Sequence, residues 1–328
     1  LRRVTLLFTS SLETPFILED LQLLRRHYDV SHLVTRSFDA PFRILREMPD
    51  VDLTFSWFAS VYTAAVVWIA GMFGRKSIVV VGGADVTRVD DAGYGQWASP
   101  WRGLCAGYTL RRAWRVLAVD ESLRQEAIRR ADYGGENILV VPTGYDPARW
   151  TAGDGRTRGV LTVAACESLS RLRVKGIPDL VETARLLPET PFTIVGIRGD
   201  ILRRSGLDVP ANMRILPYAD REHLLALYRA AAVYCQPSLF EGMANSLCEA
   251  MLCGCIPVAT DAGGSAQVVG NTGFLVAPGD PRALATALRS ALEASADLGV
   301  AARSRIMELF PLKRREEFLT RLIGMAAV

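Results

Sequence analysis

The chain has 328 residues, half of them apolar and 22% charged, so it can bury a large core and is no disordered tail. Thirty-eight Lys and Arg against thirty-five Asp and Glu leave a net charge of only +3. Acids are interspersed among the bases, so no nucleic-acid partner is expected.

Length suggests two domains. Six scattered cysteines, several inside apolar runs, read as reduced, buried thiols of a cytoplasmic protein rather than a disulfide framework. The chain begins at Leu1, which leaves targeting open.

Val4 to Phe8, Val30 to Val34, Leu53 to Phe58, Ile78 to Val81, Val116 to Val119 and Ile138 to Val141 read as buried strands. Helical stretches such as Leu18 to Tyr28 and Ser60 to Phe73 alternate with them. The uncharged segment Leu53 to Gly74 is long enough for a membrane span, yet Ser56, Ser60 and Thr63 interrupt it. A strand followed by an apolar helix is the better reading.

The rhythm breaks at the polar stretch Asp146 to Arg158. It restarts with Val160 to Ala165, Phe192 to Gly196, Met213 to Leu216, Val233 to Gln236, Ile256 to Ala259 and Gly273 to Val276. Pro281 to Val328 reads as helical. This predicts an α/β chain with two parallel sheets covered on both faces. The expected domains are 1–150, 151–310, and a terminal helix over 311–328.

Several motifs carry less than they first suggest. Asp50-Val51-Asp52 matches a metal-holding Asp-x-Asp pair but precedes its strand, whereas ligands of open α/β sheets lie beyond the carboxyl ends. Gly93-Tyr94-Gly95-Gln96-Trp97-Ala98 fits a dinucleotide fingerprint without the strand before it or the helix after it, so no nicotinamide cofactor is expected. Cys248, Cys253 and Cys255 lack zinc-knuckle spacing and a nearby His. His27, His32 and His223 sit in regular elements, away from any nucleophile.

The informative stretch runs from Tyr234 to Met251. A strand ends at Pro237, a loop carries Glu241 and Gly242, and a helix starts near Asn245. Glu241 and Glu249, eight residues apart, can face one cleft, and carboxylates suit hydroxyl pairs on a ribose or a hexose. The helix start suits a phosphate. Ser246 and Glu249 equally fit a capping box, which would give Glu249 a purely structural task. Upstream, Ser168 opens a helix expected to run through Leu187. Arg171, Arg173 and Lys175 lie at its start, at a strand-to-helix crossover where an anion could be held.

Taken together, Lys175-Gly176, Glu241-x7-Glu249, Glu249 through Val258 and Thr272-Gly273-Phe274-Leu275-Val276 resemble the retaining, nucleotide-sugar-dependent glycosyltransferases of the GT-B fold, group 1 or family 4 type. Gly82-Gly83-Ala84-Asp85, Val119-Asp120-Glu121-Ser122-Leu123 and Pro142-Thr143-Gly144-Tyr145-Asp146 resemble the family's first-domain elements more faintly. The resemblance implies two Rossmann-like domains facing across a cleft, with a C-terminal helix crossing back to the first.

It further implies that Glu249 binds the ribose and Glu241 the donor sugar. Lys175, with Arg171 or Arg173, would neutralise the diphosphate. Backbone from Met243, Ala244, Asn245 and Ser246 would hold donor oxygens. Ser10, Ser11, Gly83 and Asp85 would lie on the acceptor side. Two departures stand out: Gly82-Gly83 replaces a family His, and Thr9-Ser10-Ser11-Leu12-Glu13 replaces a Gly-Gly loop.

The implied reaction is transfer from a UDP- or GDP-sugar to a hydroxyl of a saccharide, lipid-linked or small-molecule acceptor. No cofactor and no metal are expected, because fixed cations oppose the charge on the leaving diphosphate. Rival readings are an epimerase, a phosphorylase with a pyridoxal-bearing lysine, and a non-catalytic sugar-nucleotide binder. The segment Tyr94 to Leu117 adds Trp97, Trp101, Leu104, Tyr108 and Trp114 beside four arginines, a pattern that leaves a peripheral membrane contact open.

Overall fold

The computed structural model describes residues 3–153 and 156–326. The expected linker residues Asp154 and Gly155, and the last two residues of the expected terminal helix, lie outside the described residues. The chain divides into two compact units, one of residues 1–144 with 312–328 and one of residues 145–311.

The first unit alternates β1 (Thr5–Ser10), α1 (Pro15–His27), β2 (Asp29–Val34), α2 (Ala40–Glu47), β3 (Leu53–Trp57), α3 (Val61–Met72), β4 (Lys76–Val81), α4 (Pro100–Arg112), β5 (Arg115–Ala118), α5 (Glu121–Ala131) and β6 (Ile138–Val140). The second holds β7 (Thr157–Cys166), α6 (Leu169–Val174), α7 (Ile177–Arg185), β8 (Phe192–Ile197), α8 (Gly199–Ser205), β9 (Met213–Leu216), α9 (Arg221–Ala230), β10 (Ala231–Gln236), α10 (Asn245–Leu252), β11 (Ile256–Thr260), α11 (Ser265–Val269), β12 (Phe274–Val276), α12 (Pro281–Glu293) and α13 (Ala296–Leu309). The terminal helix α14 (Leu312–Ala326) belongs to the first unit.

Each unit has one six-stranded parallel sheet, ordered β2-β1-β3-β4-β5-β6 and β12-β11-β10-β7-β8-β9. All twelve expected strands form; the inner strands β1, β3, β4, β10 and β11 are buried nearly throughout, as a covered parallel sheet requires, while the edge strands β2, β6, β9 and β12 are only partly buried. In both sheets the strand order reverses beside the unit's first strand, between β1 and β3 and between β7 and β10. Such switch points open a crevice at the carboxyl ends of the strands, where ligands of α/β sheets bind.

In the second unit Leu172, Ile177, Leu180, Phe192, Ile194 and Leu288 are among the buried side chains of one core. In the first, α14 packs against α1. There Arg315 donates to both oxygens of Asp20, at 2.6 and 2.5 Å, and to the carbonyls of Val141 and Pro142. Both side chains of this pair are 2% exposed. Trp57 Nε1 also donates to Asp20, so one buried carboxylate ties α14, α1 and β3 together.

The sequence expectation of one helix from Ser168 through Leu187 is corrected. The helix breaks at Lys175-Gly176 into α6 and α7. Gly176 has φ +64°, and a Cβ there would lie 1.8 Å from the Pro237 carbonyl oxygen. The close approach of the loop after β10 therefore demands glycine, and glycine stops the helix.

Two motifs set aside in the sequence take part in local structure. Asp52 accepts the Thr5 backbone N–H at 2.9 Å, at the amino end of the sheet. Gly93 (φ +58°) and Gly95 (φ +100°) shape a turn closed by a bridge between Val89 and Tyr94. The segment after Gly144 is packed rather than loose: Trp150 is buried edge-on against Tyr228, and Arg303 donates to the carbonyls of Trp150 and Pro147.

Candidate active site

The break after α6 places Lys175 at the carboxyl end of β7, beside the loop that leaves β10. Those two strands flank the switch point of the second sheet. Leu239 N–H donates to the Val174 carbonyl at 2.8 Å and fastens the loop to the end of α6. Lys175 Nζ forms an ion pair with Glu241 Oε1. Gln236 Nε2 (2.8 Å) and Ser238 Oγ (2.7 Å) donate to the same oxygen.

All three donors converge on Oε1, so Glu241 Oε2 has no protein partner among the described residues and remains able to accept from a hydroxyl. Lys175 likewise has three donors and gives one to Glu241, so it can serve a second anion. Gly263 holds the far side of the loop; at φ +58°, its Cβ would fall 1.7 Å from the Glu241 carbonyl oxygen.

Arg171 lies one turn before Lys175 on α6. It is half-buried, and its Nε is buried without a hydrogen-bond partner. An unpaired guanidinium N–H inside a crevice is costly unless an acceptor arrives. Arg173 on the same short helix is exposed.

Glu249 sits in the middle of α10 and is half-buried. The capping-box reading is not what forms: α10 takes Ala244 as its N-cap, and the Ser246 hydroxyl points to Gln236 Oε1 at 3.4 Å. Glu249 Oε2 instead accepts from the Tyr228 hydroxyl at 3.1 Å, while Oε1 has no protein partner among the described residues. Burial pushes its carboxyl up to about 7, against the Tyr228 hydrogen bond and the charge of Arg221.

Met243 and Ala244 are buried and lead into the first turn of α10. Asn245 Oδ1 accepts from the Tyr145 hydroxyl at 2.6 Å, which fixes the side chain at that helix start. The positive end of α10 thus lies directly after the loop that carries Glu241.

In the first unit, Ser10 is buried at the end of β1 and shares a 3.1 Å hydrogen bond with His32 Nε2. The Ser11 carbonyl accepts from Arg36 at 2.6 Å. Asp85 is buried, and its two oxygens accept the N–H groups of Gly82 (3.1 Å), Gly83 (2.8 Å) and Ala59 (3.0 Å). Asp85 therefore organises the loops after β3 and β4. Burial pushes its carboxyl up to about 6 although three amides stabilise the charge.

Cys248, Cys253 and Cys255 are buried, and burial pushes each thiol up to about 12. Among the described residues, no group of three or more His, Cys, Asp and Glu side chains is placed to hold a metal ion. Sequence reasoning missed Tyr145, Tyr228, Gln236 and Ser238. Their roles depend on which strands and helices become neighbours, and no spacing in the chain signals that.

Two doubly wound units, each built on a six-stranded parallel sheet, make the GT-B fold. The family model for glycosyl transferases group 1 matches residues 160–294, a stretch that lies within the second unit. An MMP alpha-(1->4)-mannosyltransferase of Mycolicibacterium hassiacum is 29% identical over 217 residues, 60% of this chain and 50% of that protein. A D-inositol 3-phosphate glycosyltransferase of Mycolicibacterium gilvum is 30% identical over 208 residues, 58% of this chain and 47% of that protein. The chain spans about half the length of these curated relatives. Among solved structures, Anabaena Alr3699/HepE in complex with UDP and glucose superposes with a TM-score of 0.78 at 16% identity, over 98% of this chain and 100% of that one.

Proposed function

We propose that the protein transfers a sugar, with retention and without a metal, from a UDP- or GDP-sugar to a hydroxyl acceptor. The observation that carries this reading is the switch-point cluster of the second unit. Lys175 pairs with a carboxylate, Glu241, that keeps one oxygen open, and Arg171 on the same short helix holds an unpartnered Nε. In this reading Glu241 Oε2 accepts a donor-sugar hydroxyl and Glu249 Oε1 accepts from the ribose.

Breaking the anomeric C–O bond leaves negative charge on the β-phosphate while the sugar becomes oxocarbenium-like. Lys175, Arg171 and the first turn of α10 oppose that charge where it grows. The lysine needs no reorganisation, because Glu241, itself fixed by Gln236 and Ser238, and the α6–α7 break already hold it in place. Same-face attack by the acceptor, assisted by the departing phosphate, keeps the configuration and requires no side-chain nucleophile. The relatives, named as a mannosyltransferase and an inositol phosphate glycosyltransferase, and a structural neighbour holding UDP and glucose support the substrate class.

A thermal-shift panel of UDP-, GDP- and ADP-sugars tests the donor. A ligand at a hundred times its Kd stabilises the folded state by about 2.7 kcal/mol, so the matching donor should raise Tm by several degrees. No shift with any sugar nucleotide would remove the basis of the proposal.

A further inference from the structure

We propose that the outer face of α2, α3 and α4 docks the first unit onto an anionic lipid surface. α3 packs between α2 and α4 on one side of the sheet. None of the twelve residues of α3 is charged, and a helix apolar all round is normally buried. Here only one side is, with Val66, Val67, Ile69 and Ala70 buried, while Trp68 is 58% exposed and Met72, one turn on, 63%. Phe42 (76%) and Leu45 on α2, and Trp101 and Leu104 (72%) on α4, are exposed on the flanking helices. Among the described residues, every exposed Phe and Trp lies on these helices or within two residues of their ends.

The charge on the same helices singles out the partner. They carry five arginines (Arg43, Arg46, Arg102, Arg111, Arg112) and a single acid, Glu47, a net +4 within 33 residues. The whole chain carries +3, so its remainder is net −1. The Arg102 guanidinium lies 5.8 Å from the Trp101 ring centroid, pairing a cation with an aromatic ring at the surface. Arg43 and Arg46 line a pocket with Ser31, His32 and Leu33, and Arg111 donates to the Ala131 carbonyl, so Trp101 with Arg102 is the aromatic–cation pair shown on the apolar face. Such a pair beside a net positive charge fits the headgroup region of a membrane with anionic lipid.

Insertion across the membrane is not implied. A twelve-residue helix is about 18 Å long, against about 30 Å of hydrocarbon. No helix among the described residues is long and apolar enough to cross. The face also differs from the one expected from sequence. Trp97, Tyr108 and Trp114 are half-buried: Trp97 donates to the Asp85 carbonyl, and Trp114 lies under Lys76 and Arg115. Only Trp101 and Leu104 of that segment's large apolar residues reach the surface, and α2 and α3 supply the rest.

Flotation with vesicles tests the surface independently of any transfer reaction. At low salt the protein should float with phosphatidylcholine vesicles containing phosphatidylglycerol and stay behind with phosphatidylcholine alone. Raising salt to about 0.5 M should release it, since screening shortens the electrostatic reach to a few ångströms. Each arginine removed should lower partitioning about fivefold, so Arg43→Gln/Arg46→Gln/Arg102→Gln should lose on the order of a hundredfold. Trp68→Ser/Trp101→Ser should also fail to float while keeping the parent's circular dichroism melt. Equal recovery with both vesicle types, or no effect of salt on the parent, overturns the proposal. So does a concentration-dependent dimer in light scattering that the Trp68→Ser/Trp101→Ser variant abolishes without any vesicle binding, because the occupant is then a second copy.

Discussion

Binding of a nucleotide-sugar should strengthen about tenfold between pH 6 and pH 8, and Glu249→Gln should remove that dependence. Burial holds the Glu249 carboxyl at about 7. About 9% of the protein then carries the carboxylate at pH 6 and about 90% at pH 8, and affinity scales with the competent fraction. A nucleotide-sugar diphosphate does not titrate in this interval, so the dependence reports the protein. Glu249→Gln keeps the shape and can still accept from Tyr228, but at pH 8 it should bind more weakly by about 1.5–3 kcal/mol for the lost charged hydrogen bond. Calorimetric titration at the two pH values reads both effects. Stability supplies an independent sign. A carboxyl raised from 4.5 to about 7 favours the folded state at low pH, and that contribution is lost as pH rises through about 7. The parent should therefore lose up to about 3 kcal/mol relative to Glu249→Gln between pH 4.5 and pH 8. A variant with the parent's pH slope for binding would refute the ribose assignment.

Lys175→Ala should lower kcat more than it raises the donor KM, since the lysine opposes charge that appears in the transition state. It should also destabilise the fold by up to about 3 kcal/mol by stranding the Glu241 carboxylate, and Lys175→Ala/Glu241→Gln should recover much of that in urea unfolding. Arg315→Met leaves Asp20 buried and uncompensated, which should cost about 3–5 kcal/mol, with Arg315→Met/Asp20→Asn milder; matching urea midpoints for the two variants would refute this. Dialysis against EDTA should leave donor turnover intact. Its loss, with recovery on adding Mn²⁺, would restore a metal to the reaction.

The strands were legible because each is a short, mostly apolar run, buried nearly throughout in the inner strands, and helical stretches separate them. Glu241 and Glu249 were legible as a spaced pair on a loop and the helix after it. The break at Gly176 was not, because its cause is the Pro237 carbonyl, sixty-one residues away in the chain. The same holds for Glu249: the choice between a capping box and a partnership with Tyr228 depends on α9 and α10 becoming neighbours. Asp85 looked like a ligand-facing residue at a strand end. Its burial by three backbone amides emerges only once the loops after β3 and β4 are placed together. The outer apolar face was half legible, since α4 announced its aromatic residues and arginines while α3 read as ordinary core.

The most direct test of the central claim follows the anomeric proton of the matching nucleotide-sugar by NMR in the presence of the protein. The account predicts loss of the sugar-diphosphate signal, release of nucleoside diphosphate, a first-formed product with the donor's own anomeric configuration, and marked slowing in Lys175→Ala. A donor that stays intact under conditions where it binds, or a first product of inverted configuration, would contradict it.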